Sequence, residues 1–320
     1  MSFIQKIFNH FKQTATTSET NLRKCEDDTL QIGDIILLHW IDTNNGDFFP
    51  SYFEHEYQIN PQLHRNKLIR LGLLTFQKSE KSLSKLKVAE LKEILKVKSL
   101  PVGGKKYDLV QRIMNNFDLL EDSIPSSICT TNVGQQILFE YEGLIKAHKD
   151  PYISAFEYME YSGNDPYLSY DIAKIKILND RINSNINAKL FGLVRNDCHA
   201  FGCFFLDKKD YKLALKYFIE TMLFDCSGLG NSYEYIQGPV YIPPMTNSYI
   251  VTNIRNIAEE CDLDDYNSAF DLAKKEIKSL KKKMFLTESD FNFIKNNLLT
   301  EDLFVIEEFR EPLISFTLTP

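Results

Sequence analysis

Lys105 and Lys106 come directly after Gly103 and Gly104, at the head of a stretch in which Leu109, Val110 and Ile113 fall at helical spacing. These residue types in this order suit a phosphate. The ammonium groups supply charge, the glycines admit backbone conformations closed to other residues, and a helix start presents unpaired backbone N–H groups. Lys87 and Lys98 flank the preceding segment and Arg112 lies on the following one, so they extend the basic set along a duplex backbone. The candidate nucleic-acid-binding residues are therefore Lys87, Lys98, Gly103, Gly104, Lys105, Lys106 and Arg112. Contacts of this kind give affinity with little sequence discrimination and weaken steeply as salt rises. The competing reading is that these lysines are the solvated face of a small helical unit.

Other chemistry is thinly represented. Cys198, His199 and Cys203, near Asp197, resemble metal ligands, but structural zinc takes four ligands in paired spacing. Buried helix residues are the preferred reading. Cys198 and His199 are neighbours in sequence and would not face each other on a helix, which argues against a nucleophile–base pair. Gly228-Leu229-Gly230 lacks the third glycine and the Lys-Ser/Thr of phosphate loops and reads as a turn. The expectation is a protein without catalytic residues, metal or cofactor, against an enzyme whose residues are too dispersed to see.

The basic residues must be positioned by the stretch Ser84 to Phe117. Leu86, Leu91, Ile94 and Leu95 define a first helix, with Ser84 offering an N-cap oxygen, and Leu109 to Ile113 define a second. Leu100-Pro101-Val102-Gly103-Gly104 joins them as an extended turn. The pattern resembles the SAP motif, a small helix–extended–helix DNA-binding module. Its features are Leu86, the run Val88-Ala89-Glu90-Leu91-Lys92, then Leu100, Gly104-Lys105-Lys106, and Leu109 to Ile113 around Arg112. The resemblance is confined to residues 84–117, and it implies DNA as the partner. Two departures stand out: Ser99 occupies a position that is often Gly, and Glu90 and Glu93 would dilute the positive field of the first helix. A two-helix unit buries little core alone, so it should lean on neighbouring segments.

Charge is segregated along the chain. Lys78 to Arg112 holds ten Lys/Arg against Glu80, Glu90, Glu93 and Asp108, in a chain of net charge −7. The whole molecule is not drawn to nucleic acid by its average field, so any contact is local. An apolar fraction of 43% in 320 residues is enough for two or three folded domains. Six scattered cysteines without a CxxC pair fit a reducing cytoplasm, and no run is long enough to span a bilayer. The richness in Asn, Lys and Ile suggests an AT-rich bacterial or phage genome.

The expected fold is mainly α, with a small α+β N-terminal part, the embedded SAP-like two-helix unit and a C-terminal multi-helix domain, bundle or tetratricopeptide-like. Residues 1–28 read as an amphipathic helix and linker, 29–83 as the α+β region, 84–118 as the SAP-like unit and 128–320 as an acidic helical domain for protein interactions. Phe3, Ile4, Ile7, Phe8 and Phe11 share one helical face, which packs on the protein or touches a membrane surface peripherally. Gly33-Asp34 reads as a turn before Ile35 to Leu38, an apolar run open to either strand or buried helix. Pro61 to Leu71 reads as a helix capped by Gly72. Leu73 to Gln77 and Ile128 to Thr131 are strands that pair if the SAP-like unit is inserted between them. Phe201, Gly202, Phe205, Tyr211, Ala214, Leu215 and Phe218 have the spacing of one αα-hairpin. Lys274, Lys275, Lys278 and Lys281 to Lys283 read as a solvated helix face.

Overall fold

A computed structural model describes residues 29–44, 48–163, 168–231, 248–282, 284 and 286–299. The expected N-terminal amphipathic helix with Phe3, Ile4, Ile7, Phe8 and Phe11, the linker after it, and the extended tail lie outside the described residues. The chain is mainly α-helical with a small two-stranded sheet. It divides into two compact units, residues 1–173 and 174–320, so the stretch 128–320 is shared between them.

At the centre of the first unit is α1 (Ile32–Thr43), in which Ile35, Ile36, Leu37, Leu38 and Ile41 are all buried. A helix apolar on every side has no periodicity to distinguish it from a strand, which is why the sequence left both open. Gly33-Asp34 is therefore not a turn but the first turn of this helix. Gly33 leaves room for the chain at Tyr57 and Ile59, where a Cβ would come within 2.9 Å of Tyr57 Cβ. Asp34 accepts from the Gln31 backbone N–H at 2.8 Å, pairs with Lys67 at 2.7 Å and lies 2.6 Å from His64 Nδ1. All three side chains are buried, so α1 is bolted by charge to α3 (Pro61–Arg70). Before α3, the short α2 (Tyr52–His55) carries Phe53 into an aromatic cluster with Trp40 and Tyr57, which packs as core.

Helix α3 starts with Pro61 in its first turn, the Asn60 side chain accepting from Leu63 N–H at 3.1 Å, and it stops at Gly72, whose φ is +71°. The chain then enters β1 (Leu74–Gln77), which pairs antiparallel with β2 (Ser127–Thr130), Thr75 opposite Cys129 and Phe76 opposite Ile128. The intervening residues form α4 (Glu80–Lys85), α5 (Val88–Lys96), α6 (Lys106–Met114) and α7 (Phe117–Leu120). The SAP-like unit is thus inserted between two paired strands, as the order of segments predicts. After β2, Thr131 caps α8 (Asn132–Glu140) and also donates its hydroxyl to Gly72 O at 2.7 Å, tying the strand ends to the helix. Helices α9 (Glu142–His148) and α10 (Ala155–Ser162) complete the unit, and the boundary to the next falls within α11 (Tyr170–Ala188).

In the second unit α12 (Phe191–Asp207) and α13 (Tyr211–Ser227) form the expected αα-hairpin, turning at Lys209 with φ +59°. Gly202 permits the close approach: a Cβ there would sit 3.0 Å from the Phe218 ring. Helix α13 is buried without a break from Phe218 to Phe224 and packs against α12, α14 (Ser248–Glu259) and α15 (Leu263–Ser279). Burial pushes the Glu220 carboxyl up, an effect opposed by Lys216 at 2.5 Å. Cys198 joins this core, where burial pushes its thiol well above the usual value, while Cys203 Sγ lies 3.8 Å from His199 Nε2 one turn along α12. Lys274 and Lys278 of the second basic run both pair with Glu288 of α16 (Glu288–Asn297), and these two hydrogen bonds hold its carboxyl down to about 2. No helix among the described residues is long and apolar enough to cross a membrane.

The junction of β1, β2 and α8 makes a direct prediction. A Cβ on Gly134 would fall on the Leu73 carbonyl oxygen and come within 2.6 Å of Thr130 Cγ2. Gly134→Ala should therefore destabilise the first unit by about 1–3 kcal/mol, the range for overpacking, read as a lower denaturant midpoint. An unchanged midpoint would show that this close approach is not structural.

Candidate nucleic-acid interface

The inserted unit has its own apolar centre, made by Leu91, Ile94 and Leu95 of α5 with Leu109, Val110 and Ile113 of α6. Leu83 of α4 and Leu120 and Ile124 beyond α6 close it, so the two-helix motif does borrow its neighbours to bury a core. Leu86, Leu100 and Val102 pack at its edge.

The first helix does not begin where the sequence suggests. Ser84 lies inside α4, whose cap is Ser79, accepting from Ser82 N–H at 3.2 Å. The chain turns extended at Leu86, and α5 starts after Lys87, whose backbone N–H is held at 2.6 Å by the Glu90 carboxylate. Helix α6 repeats the device: Lys105 N–H donates to Asp108 Oδ2 at 2.8 Å. The reason for both is an acid at the third helical position reaching back to the cap, a spacing visible in the sequence as Lys87-x-x-Glu90 and Lys105-x-x-Asp108. The Lys105 amide is thus already satisfied, which corrects the expectation of an unpaired N–H group there for a phosphate. The amides of Lys106 and Tyr107 carry no hydrogen bond among the described residues.

The extended turn is fixed from both ends. At the end of α5, Leu100 N–H bonds Leu95 O at 3.0 Å and Ser99 N–H bonds Lys96 O at 2.9 Å, with Leu100 packing back on the core that holds Leu95. This is the Schellman arrangement, and it puts Ser99 at φ +55°, where glycine is favoured. At the other end Gly104 takes φ +118°, and a Cβ there would meet Asp108 Oδ2 at 3.0 Å. Arg112 Nη1 donates to Pro101 O at 2.7 Å and to Gly103 O at 2.9 Å. Arg112 is therefore a clamp on the turn, its Nη1 committed to the chain's own carbonyls.

The basic residues separate into two groups. Lys78 donates to Glu121 O at 2.7 Å, Lys81 pairs with Asp42, and Lys85 reaches Ile41 O and Ile128 O, each at 3.1 Å. Lys81 and Lys85 fasten the inserted unit to α1 and β2, Lys78 ties the start of the insertion to its end, and Lys96 is paired with Glu93 at 2.7 Å. Lys87, Lys98, Lys105 and Lys106 are exposed, and with half-buried Lys92 they have no side-chain partner among the described residues. Gly103 and Gly104 are exposed between them. Lys105 and Lys106 stand together at the start of α6, whereas Lys87 and Lys98 lie beyond opposite ends of α5.

Because Ser99 carries the left-handed conformation at a cost of about 1 kcal/mol, Ser99→Gly should stabilise the turn. Hydrogen exchange at the Leu100 amide should slow by roughly fivefold if exchange follows this local opening, and an unchanged or faster rate would contradict the assignment.

A family model, the SAP domain, matches residues 82–118, which spans the end of α4, both helices of the motif and the clamped turn between them. Neither a curated protein nor a solved structure matches the chain. SAP domains are in general DNA-binding modules, so the match points coarsely to nucleic-acid binding by this segment.

Proposed function

We propose that the protein binds double-stranded DNA through residues 82–118, largely without regard to sequence, and so tethers its acidic helical part to DNA. The observation that carries this reading is the set of lysines with no side-chain partner among the described residues: exposed Lys98, Lys105 and Lys106 around the glycine turn, with exposed Lys87 and half-buried Lys92 at the first helix. Their ammonium groups are not engaged within the described residues, and the segment matches a DNA-binding family. Phosphate contacts of this kind fix position without reading bases. Gly103 and Gly104 give a backbone open to close approach, and Arg112 holds that backbone in place. The role is binding rather than catalysis, set in the cytoplasm, with the helical second unit as the surface for a protein partner.

A second reading rests on the use made of Lys78, Lys81, Lys85 and Arg112. Each is engaged within the protein, which is what a purely structural insertion in an interaction scaffold would show.

Duplex binding across a salt series separates the two. On the DNA reading, affinity falls steeply with salt, and combined Lys105→Glu and Lys106→Glu weakens binding by an order of magnitude or more at ~0.1 M salt for every duplex sequence tried. Affinity that survives this charge reversal would remove the assignment of DNA to this site.

A further inference from the structure

We infer that Tyr107 is a nucleotide-contacting residue of this interface, its ring packing on a deoxyribose next to the phosphates that Lys105 and Lys106 meet. The inference rests on the reading of residues 82–118 as a DNA interface and adds to it a contact that is not ionic. Tyr107 is the second residue of α6 and is 70% exposed. The other apolar side chains of that helix are turned to the core: Leu109, Val110 and Ile113 are buried, and Met114 packs at the edge. Tyr107 has no part in that cluster, and among the described residues no ring or cation is stacked on it.

A large ring left in water immediately beside two unpartnered lysines is unexplained by folding. It is explained by a surface that meets phosphate and sugar together. The ring is also presented from an ordered turn. Asp108 holds the Lys105 amide at 2.8 Å, and Arg112 pins the carbonyls of Pro101 and Gly103 just upstream. A tyrosine has only two side-chain torsions to immobilise, so contact area is gained at small entropic cost. Other strongly exposed aromatic side chains, such as Phe139 at 72%, have no lysine adjacent in sequence.

The physics gives this contact a signature of its own. Lysines that neutralise phosphates release counterions, so their loss changes the slope of log affinity against log salt by about 0.9 per contact on B-DNA. A ring packed on sugar releases none, so its loss shifts the line without tilting it. The full-length chain is titrated with a fluorescent DNA duplex at several salt concentrations, as wild type, Tyr107→Ala, Tyr107→Phe, and Lys105→Ala combined with Lys106→Ala. The expected result is a loss of about fivefold for Tyr107→Ala at every salt concentration, matching burial of one ring face, with the wild-type slope retained. Tyr107→Phe should bind as wild type, and the lysine pair should lower the slope by about 2. Wild-type affinity for Tyr107→Ala beside a weakened lysine variant would overturn the inference and leave the interface standing. Wild-type affinity and slope in the lysine variant would remove the interface, and the inference with it.

Discussion

The antiparallel pairing of β1 with β2 is the constraint on which the first unit depends. Gln77 stands opposite Ser127, so the chain leaves and re-enters the body of the unit at adjacent points, and everything between them can fold as a separate cluster around Leu91, Ile94, Leu109 and Ile113. Two strands of four residues are marginal by themselves. They are held here by α8, whose Gly134 admits the Leu73 carbonyl at van der Waals range, and by Thr131, which bonds both Gly72 and Leu73 carbonyls. Lys85 adds a third tie by donating to Ile41 at the end of α1 and to Ile128 in β2. The inserted unit is therefore fixed to its support by bonds from α4, while the start of α6 carries the exposed Lys105 and Lys106.

That division of labour matters for how the basic charge is counted. An excess of lysine between residues 78 and 112 looks uniform in the sequence, yet the side chains nearest β1 are spent on carbonyls and on Asp42. Exposed ion pairs such as Lys96–Glu93 contribute about 0–1 kcal/mol to stability and mainly cancel charge. What remains available is smaller than the composition implies, and it is concentrated around the glycine turn. Of the two acids expected to dilute the field of the first helix, Glu93 is paired with Lys96, while Glu90, like Asp108 at the start of α6, is turned to a backbone amide. The carboxylates of Glu90 and Asp108 order the first turns of both helices, and this rigidity favours binding because little conformational freedom remains to be lost.

Much of the architecture could be read from local signals. Pro61 and Gly72 bracket a helix by their own geometry, and Gly202 with Phe218 marks the hairpin, because each signal acts within a few residues or repeats at a helical period. What escaped was whatever depends on distant partners. The Asp34–His64–Lys67 set joins residues some thirty positions apart, and α1 is apolar all round, so neither its type nor the role of Asp34 was written in its periodicity. At the candidate interface, the exposed and uncommitted charge of Lys98, Lys105 and Lys106 was legible from residue type and the flanking glycines. The clamping role of Arg112 was not, since a guanidinium suits a carbonyl pair as well as a phosphate. The break at Leu86 was signalled only by the acid three residues beyond Lys87, a weaker cue than the continuous run of helix formers around it.

The central claim is that the lysines around the turn between α5 and α6 meet DNA while the other lysines of the chain do not. Chemical acetylation of the full-length protein, with and without a saturating DNA duplex and read residue by residue by mass spectrometry, tests it directly. The account predicts strong protection of Lys105 and Lys106, protection of Lys98, and no change at exposed lysines elsewhere such as Lys275 and Lys281. Equal labelling of Lys105 and Lys106 in the presence of bound DNA, or protection confined to the second unit, would contradict it.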